Sequence, residues 1–308
     1  MTETSAITNT HQQNINSGIA FAVTATLMFS IKPILIKLAY QFGGDAVSIM
    51  AIRAAFSLPF YLFMLLWICR KEEAREKVTR YGWQAALVGV LGYYLASYLD
   101  ILSLNYISAQ LERLLIFLFP SFVVLISWIF LKQKPQKSTF ISIFLGYLGI
   151  GLIVAHDLTE FGAEVWLGSS LAICSALIFA CYLVLSKKQI QRLGSQLFTC
   201  IGMGCAAVVI LIHALTEQVE VVSMSIEFVA IGLIMAVFCT VLPSFLVAAA
   251  MARLTPSTLS LTSNVGPAIT AGFAVILLDE AFTLFHAVGM ALVVLSVVSL
   301  TSDKARKN

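Results

Sequence analysis

Residues 82–131 read GWQAALVGVLGYYLASYLDILSLNYISAQLERLLIFLFPSFVVLISWIFL. Two apolar runs flank a polar turn near Asn105 and Tyr106, and basic residues stand just outside both ends, Arg80 before and Lys132 after. A spanning helix needs about 20 apolar residues. The stretch therefore predicts a transmembrane hairpin whose open ends lie on one side of a membrane. Inside it sit Asp100, Glu112 and Arg113, charges that hydrocarbon does not accept without a reason.

The pattern continues outward in both directions. Ten apolar segments are read, at 17–40, 46–69, 82–103, 107–131, 138–155, 165–186, 196–215, 226–251, 257–278 and 282–301. Of the 19 Lys and Arg residues, fifteen lie outside these segments, and all fall in alternate connections. Arg70, Lys71, Arg75, Lys77 and Arg80 follow the second segment; Lys132, Lys134 and Lys137 follow the fourth. Lys187, Lys188 and Arg192 follow the sixth, Arg253 the eighth, and Lys304, Arg306 and Lys307 the tenth. The remaining connections hold acids such as Asp45, Asp157, Glu217 and Asp279. By the positive-inside rule both termini are expected in the cytoplasm. Trp67, Trp83 and Trp128 at the basic ends, and Trp166 at an opposite end, fit interfacial anchoring.

Composition excludes a soluble globule: 59% of residues are hydrophobic and 11% charged, with a mean hydropathy of +0.93. Soluble domains run near 25% charged. The expected fold class is an all-α integral membrane protein, with residues 1–16 a disordered cytoplasmic tail and 302–308 a second short tail. The net charge of +3 reflects topology determinants, placed to touch anionic lipid, and no nucleic-acid partner is expected. The six cysteines form no CxxC pair and read as small packing residues. The polar first 16 residues hold no Lys or Arg, so they match neither a signal nor a transit peptide.

The two halves resemble each other. Gly18, Phe29 and Lys37 match Gly168, Phe179 and Lys187 at an offset of 150 positions; Tyr93, Ser97 and Pro120 match Thr240, Ser244 and Pro267 at 147. Each half, 17–155 and 165–301, carries five segments. An odd number makes the second half an inverted copy, the usual build of secondary transporters with a site at the repeat interface. Pro120 and Pro267 are read as mirrored hinges or kinks, because proline frees a backbone carbonyl within a helix.

The stretch SLTSNVGPAITAGFAVILLDEAFT from Ser260, with YISAQLERLLIFLFPSFVVLISWIFL from Tyr106 to Leu131 and Arg53 in IMAIRAAF, resembles the EamA repeats of the drug/metabolite transporter superfamily. The likeness covers nearly the whole chain. It implies a ten-helix transporter of small molecules, with members carrying amino acids, other metabolites or drugs. Gln133 departs from the pattern where the family often has Glu; Glu280 keeps it in the second half.

Six charges fall within segments, all in the first half: Lys32, Lys37, Arg53, Asp100, Glu112 and Arg113. At about 1.5 Å per residue they share the half of the membrane away from the basic loops. Tyr93, Ser97 and Asp100 occupy one helix face, mirrored by Thr240 and Ser244. Gln110 and Arg113 occupy another, mirrored by Ser260 and Asn264. Lys32 maps onto Tyr182. A central cavity lined by the first, third, fourth, sixth, eighth and ninth segments is expected, with these residues as substrate-binding candidates. Lys37 is set aside because it reaches the surface by snorkelling.

Two readings of the charges stay open. In one, Asp100 pairs with Arg113, and Glu112 with Lys37 or Arg53, as structural neutralisation. In the other, Arg53 or Arg113 grips a substrate carboxylate bidentately with help from Lys32, and Asp100 or Glu112 carries a coupling proton. The expected function is a secondary transporter, an exporter of a small metabolite such as an amino acid or organic acid from a bacterial inner membrane. A proton-coupled exporter of cationic drugs is the alternative. No Walker loop, HExxH pair or nucleophile constellation points to an enzyme or a cofactor, and the four histidines show no metal-ligand spacing. Gly146, Gly149, Gly202 and Gly204 read as helix-packing positions.

Overall fold

The computed structural model describes residues 2–131, 137–219, 224–255, 258–259 and 266–305. Ser260 and Asn264 lie outside the described residues. Every regular element among those described is helical: α1 (Thr2–Ser30), α2 (Lys32–Gln41), α3 (Ala46–Ile68), α4 (Glu72–Gly89), a π-turn (Val90–Leu95), α5 (Ala96–Ser103), α6 (Ala109–Ile116), α7 (Phe119–Leu131) and α8 (Lys137–Phe161) come first. Then follow α9 (Glu164–Leu193), α10 (Ser195–Thr216), α11 (Ile226–Ala236), a second π-turn (Val237–Val241), α12 (Leu242–Arg253), α13 (Gly266–Leu278) and α14 (Leu284–Ala305).

Among the described residues, seven helical stretches are long and apolar enough to cross a membrane, and three shorter apolar helices lie at Ile143–Thr159, Gly266–Leu278 and Leu284–Ser296. Their outward faces carry Phe60, Phe63, Leu66, Ile129, Phe130, Phe144 and Leu215, all exposed. In water such a continuous apolar surface would drive aggregation; in lipid it is matched solvent.

The helices differ from the sequence reading at two places. Helix α1 starts at Thr2, where the sequence reading leaves an irregular tail to residue 16; no Gly or Pro interrupts this stretch. The basic segment 70–80, read as a loop, is mostly the first turns of α4. Glu72 and Glu73 stand at its N-terminus, where carboxylates complement the dipole. Arg75 Nε donates to the Cys69 carbonyl at 2.7 Å and so caps the end of α3.

Two helix breaks accompany prolines, whereas Pro59 lies inside α3 without interrupting it. Helix α1 ends at Ser30 and α2 starts at Lys32, with Pro33 in its first turn. Proline has no N–H to donate and its ring displaces the carbonyl four residues back. That carbonyl belongs to Phe29; the neighbouring Ser30 carbonyl accepts the Thr270 hydroxyl across the bundle at 2.7 Å. A second break at Phe117 and Leu118 precedes Pro120 and separates α6 from α7. Pro267 lies in α13, next to residues outside those described. The two π-turns start at Val90 and Val237, at the offset already noted between Pro120 and Pro267.

Packing between the halves is reciprocal. Helix α1 packs on α12 and α13, and α9 packs on α5, α6 and α7; α3 lies against α10, and α8 against α14. Glycines set the closest approaches. A Cβ on Gly89 would stand 2.2 Å from the Cα of Gly202, and one on Gly149 would stand 2.6 Å from the Gly289 carbonyl oxygen. Gly146, facing Ser296, makes a similar approach, whereas Gly204 has only the Tyr61 Cβ at 3.9 Å.

Candidate functional site

Where the two helix breaks and the first π-turn converge, the bundle encloses a cavity of about 130 Å³. Its wall comes from α1, α2, α3, α5 to α7, α9, both π-turns and α12, with Leu259 closing one side. Eight of the candidate residues line it: Lys32, Arg53, Tyr93, Ser97, Asp100, Glu112, Arg113 and Thr240. The rest of the wall is apolar and aromatic, chiefly Phe29, Phe117, Phe119 and Phe179. Arg53 is the contribution of α3, an element that the expected set of cavity helices omits.

The charges divide unequally. Lys32, freed at the α1–α2 break, donates to Asp100 Oδ2 at 2.5 Å, so Asp100 pairs with Lys32 and not with Arg113 as one sequence reading has it. Glu112 lines the cavity beside Asp100. One carboxylate oxygen of Glu112 and the Nε of Arg113 have no hydrogen-bond partner among the described residues. The Arg113 guanidinium lies over the Phe117 ring at 5.8 Å and close to Gly266. Lys37 does not line the cavity.

Arg53 is 8% exposed and meets only hydroxyls. Its Nε and Nη2 donate to Thr240 Oγ1 at 3.2 and 3.1 Å, and its Nη1 donates to Ser97 Oγ at 3.4 Å. No carboxylate forms a salt bridge with Arg53 or Arg113 among the described residues. Behind Arg53 lies a smaller cavity of about 20 Å³, bounded by Tyr93, Ser97, Thr240 and Met203. That is room for roughly one water molecule.

The other candidates stand behind the wall. The Tyr182 hydroxyl donates to the Tyr93 hydroxyl at 3.3 Å and its ring packs against Phe179, bracing two residues that do line the cavity. Ser244 bonds the Tyr61 hydroxyl at 3.0 Å. Gln110 is 1% exposed, donates to the Ala281 carbonyl at 3.4 Å, and does not line the cavity. The sequence reading misses the aromatic lining, although Phe29 and Phe179 occur at matched positions of the two halves; they serve there only as evidence of the repeat. Thr26 and Ser175 line the wall too, and no charge or repeat match marks them.

The profile of the EamA-like transporter family matches residues 16–155 and 166–302. An uncharacterized transporter of Vibrio cholerae is 27% identical over 308 residues, covering 96% of this chain and 97% of the relative. The uncharacterized transporter YcbK of Bacillus subtilis is 26% identical over 285 residues, covering 89% of each chain. A solved crystal structure, 16% identical, superposes with a TM-score of 0.68 over 94% of this chain and 98% of its own, and shares the fold.

Proposed function

This chain belongs to the EamA-like transporter family, and we propose that it is a secondary transporter moving a small carboxylate-bearing metabolite, such as an amino acid or organic acid. The observation that carries this reading is Arg53: a buried guanidinium on the cavity wall, held by two hydroxyls and left without an acid partner among the described residues. Burying an unpaired charge costs several kcal/mol. A substrate carboxylate supplies the missing countercharge, and the planar fork of arginine suits it. The aromatic wall suits the apolar part of an amphipathic metabolite.

Seven long and three shorter apolar helices support a ten-span reading. The π-turns at matching offsets and the reciprocal packing support two inverted five-helix repeats. In this reading both termini face the cytoplasm of a bacterial inner membrane, and transport is outward. One half rocks against the other by alternating access, with bends at Pro120 and Pro267. Asp100 and Glu112, both on the cavity wall, supply a site for a coupling proton. Lys32, Tyr93, Ser97, Arg113 and Thr240 contact substrate; Tyr182, Ser244 and Gln110 hold the wall; Ser260 and Asn264 remain candidates by their match to the first half.

A second reading, export of cationic drugs, is favoured by the unpartnered Glu112 oxygen. Thermal stability of the purified protein separates the two, measured against amino acids, organic acids and organic cations, in wild type and in Arg53→Gln and Arg113→Gln. Ligands of the folded state raise stability by mass action. Shifts from carboxylates that vanish in Arg53→Gln, with that variant still folded, support the first reading. Shifts from cations alone that survive both changes refute it in favour of the second.

A further inference from the structure

At the end of the bundle away from the basic segments, the C-terminal turn region of α8 meets the start of α14. His156 Nδ1 stands 3.2 Å from Asp157 Oδ1, and His286 Nε2 stands 3.5 Å from the same oxygen. The three ligand atoms lie within 4.8 Å of one another. None of the three residues lines the central cavity. We propose that His156, Asp157 and His286 form a binding site for a divalent transition metal of the zinc type.

The chemistry of the set fits that class. Two imidazole nitrogens and one carboxylate oxygen are borderline ligands that suit zinc and its neighbours rather than calcium or magnesium. Zinc bonds of about 2.0–2.1 Å in a tetrahedron put neighbouring ligand atoms roughly 3.3 Å apart. Two of the three separations already have that value. The third closes by rotation of His156, whose side chain is partly exposed while Asp157 is 1% exposed.

The surroundings orient the ligands. The Thr283 hydroxyl lies 2.8 Å from His286 Nδ1, and the Thr283 backbone N–H donates weakly to the same nitrogen at 3.3 Å. With a metal on Nε2 the ring proton sits on Nδ1, which then donates to the Thr283 hydroxyl in place of accepting the backbone N–H, the outer hydrogen bond that metal-binding histidines commonly make. The Phe285 ring lies tilted against His156 at 4.7 Å, and the Phe282 ring lies 6.2 Å from His286. Because α8 and α14 already pack through Gly149 and Gly289, the metal would pin the last helix of each half to its counterpart.

The test uses the full-length protein in detergent, with any affinity tag removed and metals stripped by chelator, titrated with Co²⁺ and then Zn²⁺. The expected result is one Co²⁺ per chain with the intense visible absorption of a low-coordinate site, displaced by Zn²⁺, and a thermal stability that rises with Zn²⁺. Asp157→Asn and His286→Gln each weaken Co²⁺ binding at least tenfold, while His213→Gln, on a different helix, leaves it unchanged. Wild type that takes up less than stoichiometric metal overturns the proposal whatever the variants do. So does binding of equal strength in a well-folded Asp157→Asn or His286→Gln. If either variant fails to fold, the other and the wild-type titration decide.

Discussion

Glu280 caps a helix that begins far earlier in the chain: its carboxylate accepts the backbone N–H of Ala109 at 2.7 Å and that of Gln110 at 3.2 Å. The Ser108 hydroxyl takes the next donor, Leu111. The first turn of α6 is thus satisfied partly from the other half of the molecule, where the exposed N–H groups and the helix dipole favour an anion. Glu280 is half-buried, so the loss is moderate: Glu280→Ala is expected to cost about 1–2 kcal/mol, and Glu280→Gln less. Thermal unfolding in detergent measures both; equal melting of wild type and Glu280→Ala would show that the cap contributes nothing.

Lys32 and Asp100 should behave as a coupled pair. Removing either partner of a buried ion pair leaves an uncompensated charge, typically costing about 3–5 kcal/mol, whereas replacing both is often close to neutral. Lys32→Met and Asp100→Asn are each expected to destabilise more than the double variant. A double-mutant cycle reads the coupling. Additive losses would mean that the two side chains do not pair in the folded protein.

Three glycines predict a graded series. Gly89→Ala would drive a methyl to 2.2 Å from the Gly202 backbone, which cannot move aside without separating α4 from α10. Overpacking costs about 1–3 kcal/mol, occasionally more. Gly202→Ala meets its nearest atom at 3.2 Å and is milder; Gly151→Ala meets nothing within 4 Å. Melting temperatures should fall in that order, with Gly151→Ala equal to wild type or above it because alanine favours helix by about 1 kcal/mol.

Gly92 presents a different conflict, with a side chain. A Cβ there would stand 2.4 Å from the ring of Tyr182, a fully buried residue. Gly92→Ala is expected to push Tyr182 against Phe179 and so to reshape the cavity. Combining it with Tyr182→Leu should recover part of the lost stability, since contacting residues do not add. An unshifted melt in Gly92→Ala would show that the ring has room to turn.

Arg53 holds Thr240 through two of its nitrogens, a fork that lysine cannot reproduce. Arg53→Lys should therefore keep the charge and the fold yet weaken carboxylate binding by about tenfold or more, on the order of 1.4 kcal/mol. Ligand-induced thermal shifts measure it. Unchanged binding would assign the recognition to Arg113 or Lys32 instead.

The sequence by itself determined that this is a multi-pass helical membrane protein of the EamA type, because run length, basic-residue placement and proline position are local properties of the chain. The break near Pro120 fits the missing N–H of proline, yet Pro59 lies within α3 without interrupting it. Eight of the intramembrane residues that line the cavity were legible as costly charges or as hydroxyl faces at helical spacing. Partner choice was not. Asp100 sits level with Arg113 along the antiparallel hairpin, yet it takes Lys32, because the break in the first span swings that side chain inward. Tyr182, Ser244 and Gln110 share the polar faces and still lie behind the wall, because a rotation of one helix by a fraction of a turn decides which side of a stripe meets the cavity. His286 is remote in sequence from the adjacent His156 and Asp157, which lie on α8 while His286 lies on α14. Only the tertiary structure brought them together, since contacts between helices depend on crossing geometry and on the glycines that let α8 and α14 approach, which no spacing along one segment encodes.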